Sequence, residues 1–137
     1  MNLYESVKEI IKEHKTATVF SVGSLAYSAV ELLWRGHTHW TMAVAGGFCF
    51  CIITEIERRF PHIKFLYKCV LGSLSITAVE LIFGVIFNVL LHKNVWDYSN
   101  IKFNLFGQIC VLYTVLWGFL TALAIPLSKK LIYALQK

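Results

Sequence analysis

Charge is scarce in this chain. Lys, Arg, Asp and Glu together make up 15% of its 137 residues, against 57% for the hydrophobic set, and mean hydropathy is +0.62. That balance excludes an ordinary soluble domain. Proline is limited to Pro61 and Pro126, and no glycine-rich phosphate loop occurs, so ATP hydrolysis would belong to a partner. A cleavable signal peptide is also lacking: residues 1–16 are charged and mixed in sign, and the first apolar run has no small-residue cleavage pattern. The first span therefore doubles as the targeting signal. The four cysteines, Cys49, Cys51, Cys69 and Cys110, lie in or against apolar segments. Cys49 and Cys51 would point to opposite sides of a helix, a poor zinc geometry, so free buried thiols are expected.

What is there is long apolar sequence. Four stretches of membrane-spanning length fall at about residues 17–34, 40–54, 65–91 and 105–127. Pro126 closes the last one, and a basic loop containing Pro61 separates the second from the third. Ahead of the spans, Leu3, Val7, Ile10 and Ile11 recur at helical spacing among Glu5, Lys8, Glu9, Lys12 and Glu13. Residues 1–16 thus read as a short amphipathic helix on the membrane surface, and residues 17–137 as one transmembrane domain. The expected class is all-α: a polytopic membrane protein of four transmembrane helices.

A sentence is repeated within it. Gly23-Ser24-Leu25-Ala26-Tyr27-Ser28-Ala29-Val30-Glu31-Leu32 returns as Gly72-Ser73-Leu74-Ser75-Ile76-Thr77-Ala78-Val79-Glu80-Leu81, 49 residues later. The expectation is two similar hairpins, repeated in parallel about an axis along the membrane normal. Ser21, Ser24, Ser28, Glu31 and Arg35 form one helical stripe, and Ser73, Thr77, Glu80, Gly84 and Asn88 form its counterpart. Such stripes suit close helix–helix seams. Carboxylates inside a span are different, because each costs about 2.5 kcal/mol or more to insert and marks a pairing or functional site. Glu31 has Arg35 one turn onward; Glu80 has no Lys or Arg within the surrounding 20 residues.

Ten of the thirteen Lys and Arg fall on the side of the termini and of the loop between the second and third spans. By the positive-inside rule both termini are cytoplasmic. The net charge of +5 then serves orientation and anionic headgroups, and nucleic acid is not an expected partner. On the outer side, Arg35, His37 and His39 follow the first span. His92, Asn94, Trp96, Asp97, Tyr98, Ser99, Asn100, Asn104 and Gln108 follow the third. Together they could line a polar pocket above the glutamates. The candidate substrate-binding set is Glu31, Arg35, His39, Glu80, Asn88, Trp96, Asp97, Tyr98, Asn104 and Gln108. A metal is not expected, since the single spacer in His37-x-His39 does not fix both imidazoles on one centre with Glu31 and Asp97. No cofactor is expected either.

Several motifs carry a resemblance. The run Tyr27-Ser28-x-x-Glu31-x-x-Trp34-Arg35-Gly36-x-Thr38-His39-Trp40-x-Met42, then Glu80, Asn88, Val95-Trp96-Asp97-Tyr98-Ser99, Phe103-Asn104-x-x-Gly107-Gln108-Ile109 and Trp117-Gly118, resembles the ABC-transporter type IV (CmpB) family across about residues 17–127. The resemblance implies a multi-pass protein of the bacterial cytoplasmic membrane, labelled a permease. No catalytic role transfers with it. A partner ATPase would have to clasp the loop at residues 55–64, which is too short for an elaborate coupling helix, and a homodimer would bring the spans to eight. A permease-like component with its polar site between the first and third spans is the leading expectation. A non-catalytic membrane assembly or interaction protein, including a phage-type membrane factor, stands beside it. An enzyme acting on a lipid or envelope precursor is the third reading, without a nucleophile–base pair to support it.

Overall fold

A computed structural model describes residues 2–13 and 15–136, without the side chains of Lys8, residues 10–13 and Gln136. The helices are α1 (Leu3–Glu13), α2 (Lys15–Arg35), α3 (Trp40–Arg59), α4 (Phe65–Phe83) and α5 (Val111–Gln136). A π-helical segment, Gly84–Leu90, extends α4, and a small hairpin pairs β1 (Asn104–Leu105) with β2 (Ile109–Cys110). The chain is 77% helical, and four helices are long and apolar enough to cross a membrane. It is an all-α membrane protein. Leu33, Leu25 and Leu123 stand on its outer surface, as a bilayer-facing exterior requires. Ile10 and Ile11, expected on the apolar face of α1, lie within that helix, and their side chains are outside the described set.

Three ends of the last three spans differ from their expected limits. Helix α3 continues past Thr54 to Arg59, because Ile53 and Glu57 remain on its buried face and draw the charged turn inward. Helix α5 begins only at Val111, since residues 104–110 are taken by the hairpin, and it runs through Pro126 to Gln136. A proline ring removes one helical N–H, a loss that neighbouring helices in a membrane bundle can absorb.

Packing follows the small residues. Across α2 and α3, Gly23 lies against Phe50, Gly46 against Tyr27 and Gly47 against Ser24; a Cβ at Gly23 would stand 2.4 Å from the Phe50 side chain. The Ser24 hydroxyl donates to the Ala43 carbonyl at 2.7 Å. Across α4 and α5, Gly72 lies against Thr121 and Gly118 faces Ser73, whose hydroxyl donates to the Thr114 carbonyl. Thr77 and Thr114 add a hydroxyl pair at 3.0 Å. Each polar stripe therefore meets the next helix in the chain. Helix α3 is the most buried span and contacts α2, α4 and α5, whereas α2 rests mainly on α3.

The bundle has two unlike ends. At the end carrying the termini, Thr54 and Ser128 share a buried hydrogen bond at 3.2 Å, and Lys68 Nζ stands 2.7 Å from Glu57 Oε2. At the other end, residues 91–110 fold into a cap. His92, Asn94, Phe103 and Phe106 all have positive φ there, as does Gly107 at +70°. Gly107 is required: a Cβ would come 2.7 Å from the Ser99 hydroxyl.

Candidate functional site

The repeated sentence places Glu80 on the face of α4 that points toward α5. From α5, Trp117 donates its indole N–H to Glu80 Oε1 at 3.3 Å. From the cap, Tyr98 reaches down to donate its hydroxyl to Oε2 at 2.8 Å. Tyr98 stacks on Tyr113, with centroids 4.7 Å apart and planes at 8°, and Tyr113 leans on Trp117 at 5.9 Å. Tyr27 of α2 meets Trp117 edge-on at 6.2 Å and lies within electrostatic reach of both Glu80 and Glu31. A carboxylate 5% exposed is thus set among aromatic rings, with two neutral donors and, among the described residues, no ion pair.

Beside it lies a cavity of about 200 Å³. Its floor comes from α3 and α4, and its two sides from α2, with Ala26 and Val30, and α5, with Leu123 and Leu127. Ala26, Val30, Leu123 and Leu127 are all exposed on the outer surface, so the cavity opens sideways between α2 and α5. Among the described residues that line it, Glu80 alone carries a formal charge. The opening is rimmed by apolar residues of two helices long and apolar enough to cross a membrane.

Of the ten candidate residues, the structure brings Glu80, Tyr98 and Trp96 to this cavity, Tyr98 through its bond to Glu80. The others are placed elsewhere. Asn88 accepts the Val95 N–H at 2.6 Å and donates to Gln108 Oε1 at 2.9 Å; Gln108 donates to the Phe106 carbonyl and accepts, on its own carbonyl, the Trp96 indole N–H. Asn104 donates to the Ile101 carbonyl and accepts the Gly107 N–H. These side chains tie the cap together. Asp97 accepts the Ser99 hydroxyl and N–H, and those bonds hold its carboxyl below the usual carboxylate range. His39 sits at the N-cap of α3, where its Nδ1 accepts the Thr41 N–H at 3.3 Å. Glu31, 3% exposed, pairs with Arg35 at 3.3 Å, and Arg35 also donates to the Val95 carbonyl at 2.9 Å. Arg35 thereby pins the cap to α2 and leaves Glu31 Oε2 without a hydrogen bond.

Sequence reasoning missed Trp117 as a partner of Glu80, and it missed a buried ion pair. Trp117 is one turn of α5 from Tyr113, and both ring-bearing positions fall on the face that meets α4; the Trp-Gly pair with Gly118 was the available signal. Glu57 and Lys68 form a buried ion pair, with side chains 6% and 4% exposed, and Lys129 stands 3.8 Å from the other Glu57 oxygen. Glu57 lies four residues beyond Ile53 and seven beyond Phe50, on one helical face.

The family model described as Putative ABC-transporter type IV matches residues 35–137. The chain belongs to this family. The match holds Glu80, Tyr98 and Trp117 and leaves out α2 up to Trp34, including Glu31. No curated protein and no solved structure matches the chain.

Proposed function

We propose that this family member is a transporter- or permease-like membrane component whose working surface is the lateral cleft between α2 and α5. One observation carries the reading: a buried carboxylate, with no ion pair among the described residues, on the wall of a cavity rimmed by apolar residues of α2 and α5. Charged side chains within a span are normally paired or turned to a pathway, and Glu80 belongs to the second class. The membership in an ABC-transporter family supports the same assignment.

The equivalent seams give the cleft a structural rationale. The bonds from Ser24 to Ala43 and from Ser73 to Thr114 recur at matching places in α2–α3 and α4–α5, as the glycine contacts do. We read these as two copies of one hairpin. In a symmetric bundle α5 would close on α2 as α3 closes on α4; instead α2 and α5 stay further apart and meet through side chains, in the cluster of Val19, Phe50 and Leu135 and in the Tyr27–Trp117 pair. The cleft is where the symmetry is broken. The distribution of Lys and Arg supports a cytoplasmic position for the termini and the Glu57–Lys68 end, where an ATPase partner would bind the short turn after Arg59.

Quenching by brominated lipid tests the cleft. With Trp34 and Trp40 replaced by Phe, mid-chain bromines should quench the remaining Trp96 and Trp117, and Ala26→Phe, which fills the opening, should reduce that quenching. Emission indifferent to brominated chains would mean that hydrocarbon does not enter, and the cleft would be a closed seam of an assembly protein.

A further inference from the structure

We infer that the cleft takes an amphiphilic organic cation, a single-chain ammonium compound, with its head against Glu80 and its chain along α5. The inference rests on the cleft as the working surface and adds the chemical class of its occupant. Three features of the wall select that class.

The first is charge. Glu80 supplies the lining's formal negative charge, and no Lys, Arg or His lies among the lining residues. Two buried or half-buried cations of the bundle are committed elsewhere: Arg35 to Glu31 and the Val95 carbonyl, Lys68 to Glu57 and the Pro61 carbonyl. Tyr98 and Trp117 each use one lone pair of the carboxylate, and a carboxylate has about four acceptor positions. Acceptor capacity toward a ligand therefore remains. In a low-dielectric wall such a group favours a cationic head over a neutral or anionic one.

Aromatic rings are the second feature. Tyr27, Trp96 and Trp117 line the same end of the cavity as Glu80. Their π faces attract ammonium groups, including quaternary ones that cannot donate a hydrogen bond. A carboxylate flanked by three rings suits a soft, weakly hydrated cation rather than a small metal ion, which would ask for several oxygen ligands. The third feature is length. From Trp117 the wall continues along α5 through Leu120, Leu123 and Leu127, ten residues of helix or about 15 Å. That stretch is apolar and exposed to the bilayer side, so a hydrocarbon chain can lie on it while the head stays at Glu80.

Three ten-carbon probes decide the matter: decyltrimethylammonium, 1-decanesulfonate and 1-decanol. Each is titrated against the full chain in nonionic micelles while tryptophan emission is followed, with protein-free micelles as the blank for partitioning. The cation should saturate at a concentration lower by about tenfold or more than the sulfonate, and Glu80→Gln should erase that preference while leaving the decanol response unchanged. Should Glu80→Gln fail to fold, Tyr27→Leu removes a ring and no charge. It should weaken the cation by roughly three- to tenfold and spare decanol. Equal binding of all three probes, untouched by either substitution, overturns the cationic class and leaves the cleft standing. No saturable binding of any probe overturns the cleft as well. A preference for the sulfonate overturns the class outright.

Discussion

Glu57 and Glu80 are both buried acids of the same four-helix bundle, and they are settled in opposite ways. Glu57, at the terminal end, has Lys68 at 2.7 Å and Lys129 at 3.8 Å, and Lys68 is further tied to the Pro61 carbonyl. Glu80, between α4 and α5, has only the neutral donors Tyr98 and Trp117, and a cavity on its open side. A compensated charge fastens helices; an uncompensated one beside a cavity is held ready for something that is not part of the wall. Glu31 falls between them, paired on one oxygen with Arg35 and bare on the other.

The comparison breaks most readily at the ion pair. Lys68→Met leaves Glu57 buried with only the largely exposed Lys129 nearby, and should cost about 3 kcal/mol of stability, because stranding one partner of a buried pair is far costlier than removing both. The double replacement Glu57→Met with Lys68→Met should recover most of that loss. Chemical unfolding in detergent reads both; a single mutant as stable as the wild type would mean that the pair fastens nothing. Gly72→Val comes next and strains the seam behind Glu80. Its Cβ would stand 2.3 Å from the Thr121 methyl, so α4 and α5 must part, at about 1–3 kcal/mol. That separation should also pull Trp117 from Glu80 and change tryptophan emission, whereas Lys68→Met should leave emission in place.

These outcomes bear on what could be read without coordinates. The spans, the repeated sentence and the isolation of Glu80 all follow from apolar length and from Lys and Arg positions in the chain, which are local properties. The partners of Glu80 are not local: Tyr98 returns from a loop 18 residues on, and Trp117 arrives from α5. Reading α2 and α4 as directly facing one another was natural from the matched stripes, yet each stripe is spent on its own neighbour, Ser24 on Ala43 and Ser73 on Thr114. Glu57 was hidden by ending the second span at the first charged residue, whereas Lys68 draws that turn into the core. The cap escaped because amides such as Asn88, Asn104 and Gln108 satisfy backbone and one another as readily as a ligand.

Glu80→Gln sharpens the contrast with Lys68→Met. The amide oxygen can accept the Trp117 N–H while the amide nitrogen donates to the Tyr98 hydroxyl, which can reverse its role, and removing an uncompensated charge relieves burial, so stability should move by no more than about 1 kcal/mol in either sense. A loss as large as that of Lys68→Met would make Glu80 a fastening of the same kind as Glu57, and the distinction between the two acids would fall.

The smallest effect belongs to a third acid, one that water reaches. Asp97 on the cap is exposed, and the Ser99 hydroxyl and N–H hold its carboxyl below the usual range near 4. A lowered folded-state pKa favours the folded form at pH above the ordinary value, and that contribution is lost as pH falls through the lowered one. Asp97→Asn keeps an acceptor for Ser99 but removes the titration. The mutant should fall slightly below the wild type in thermal midpoint at pH 6 and converge on it as pH falls through the lowered value, where the Asp97 carboxyl becomes neutral. Because the group is solvated, the gap should be far smaller than either buried acid produces. A pH-6 loss comparable to that of Lys68→Met would show that exposure, rather than pairing, is the wrong axis on which to sort the acids of this chain.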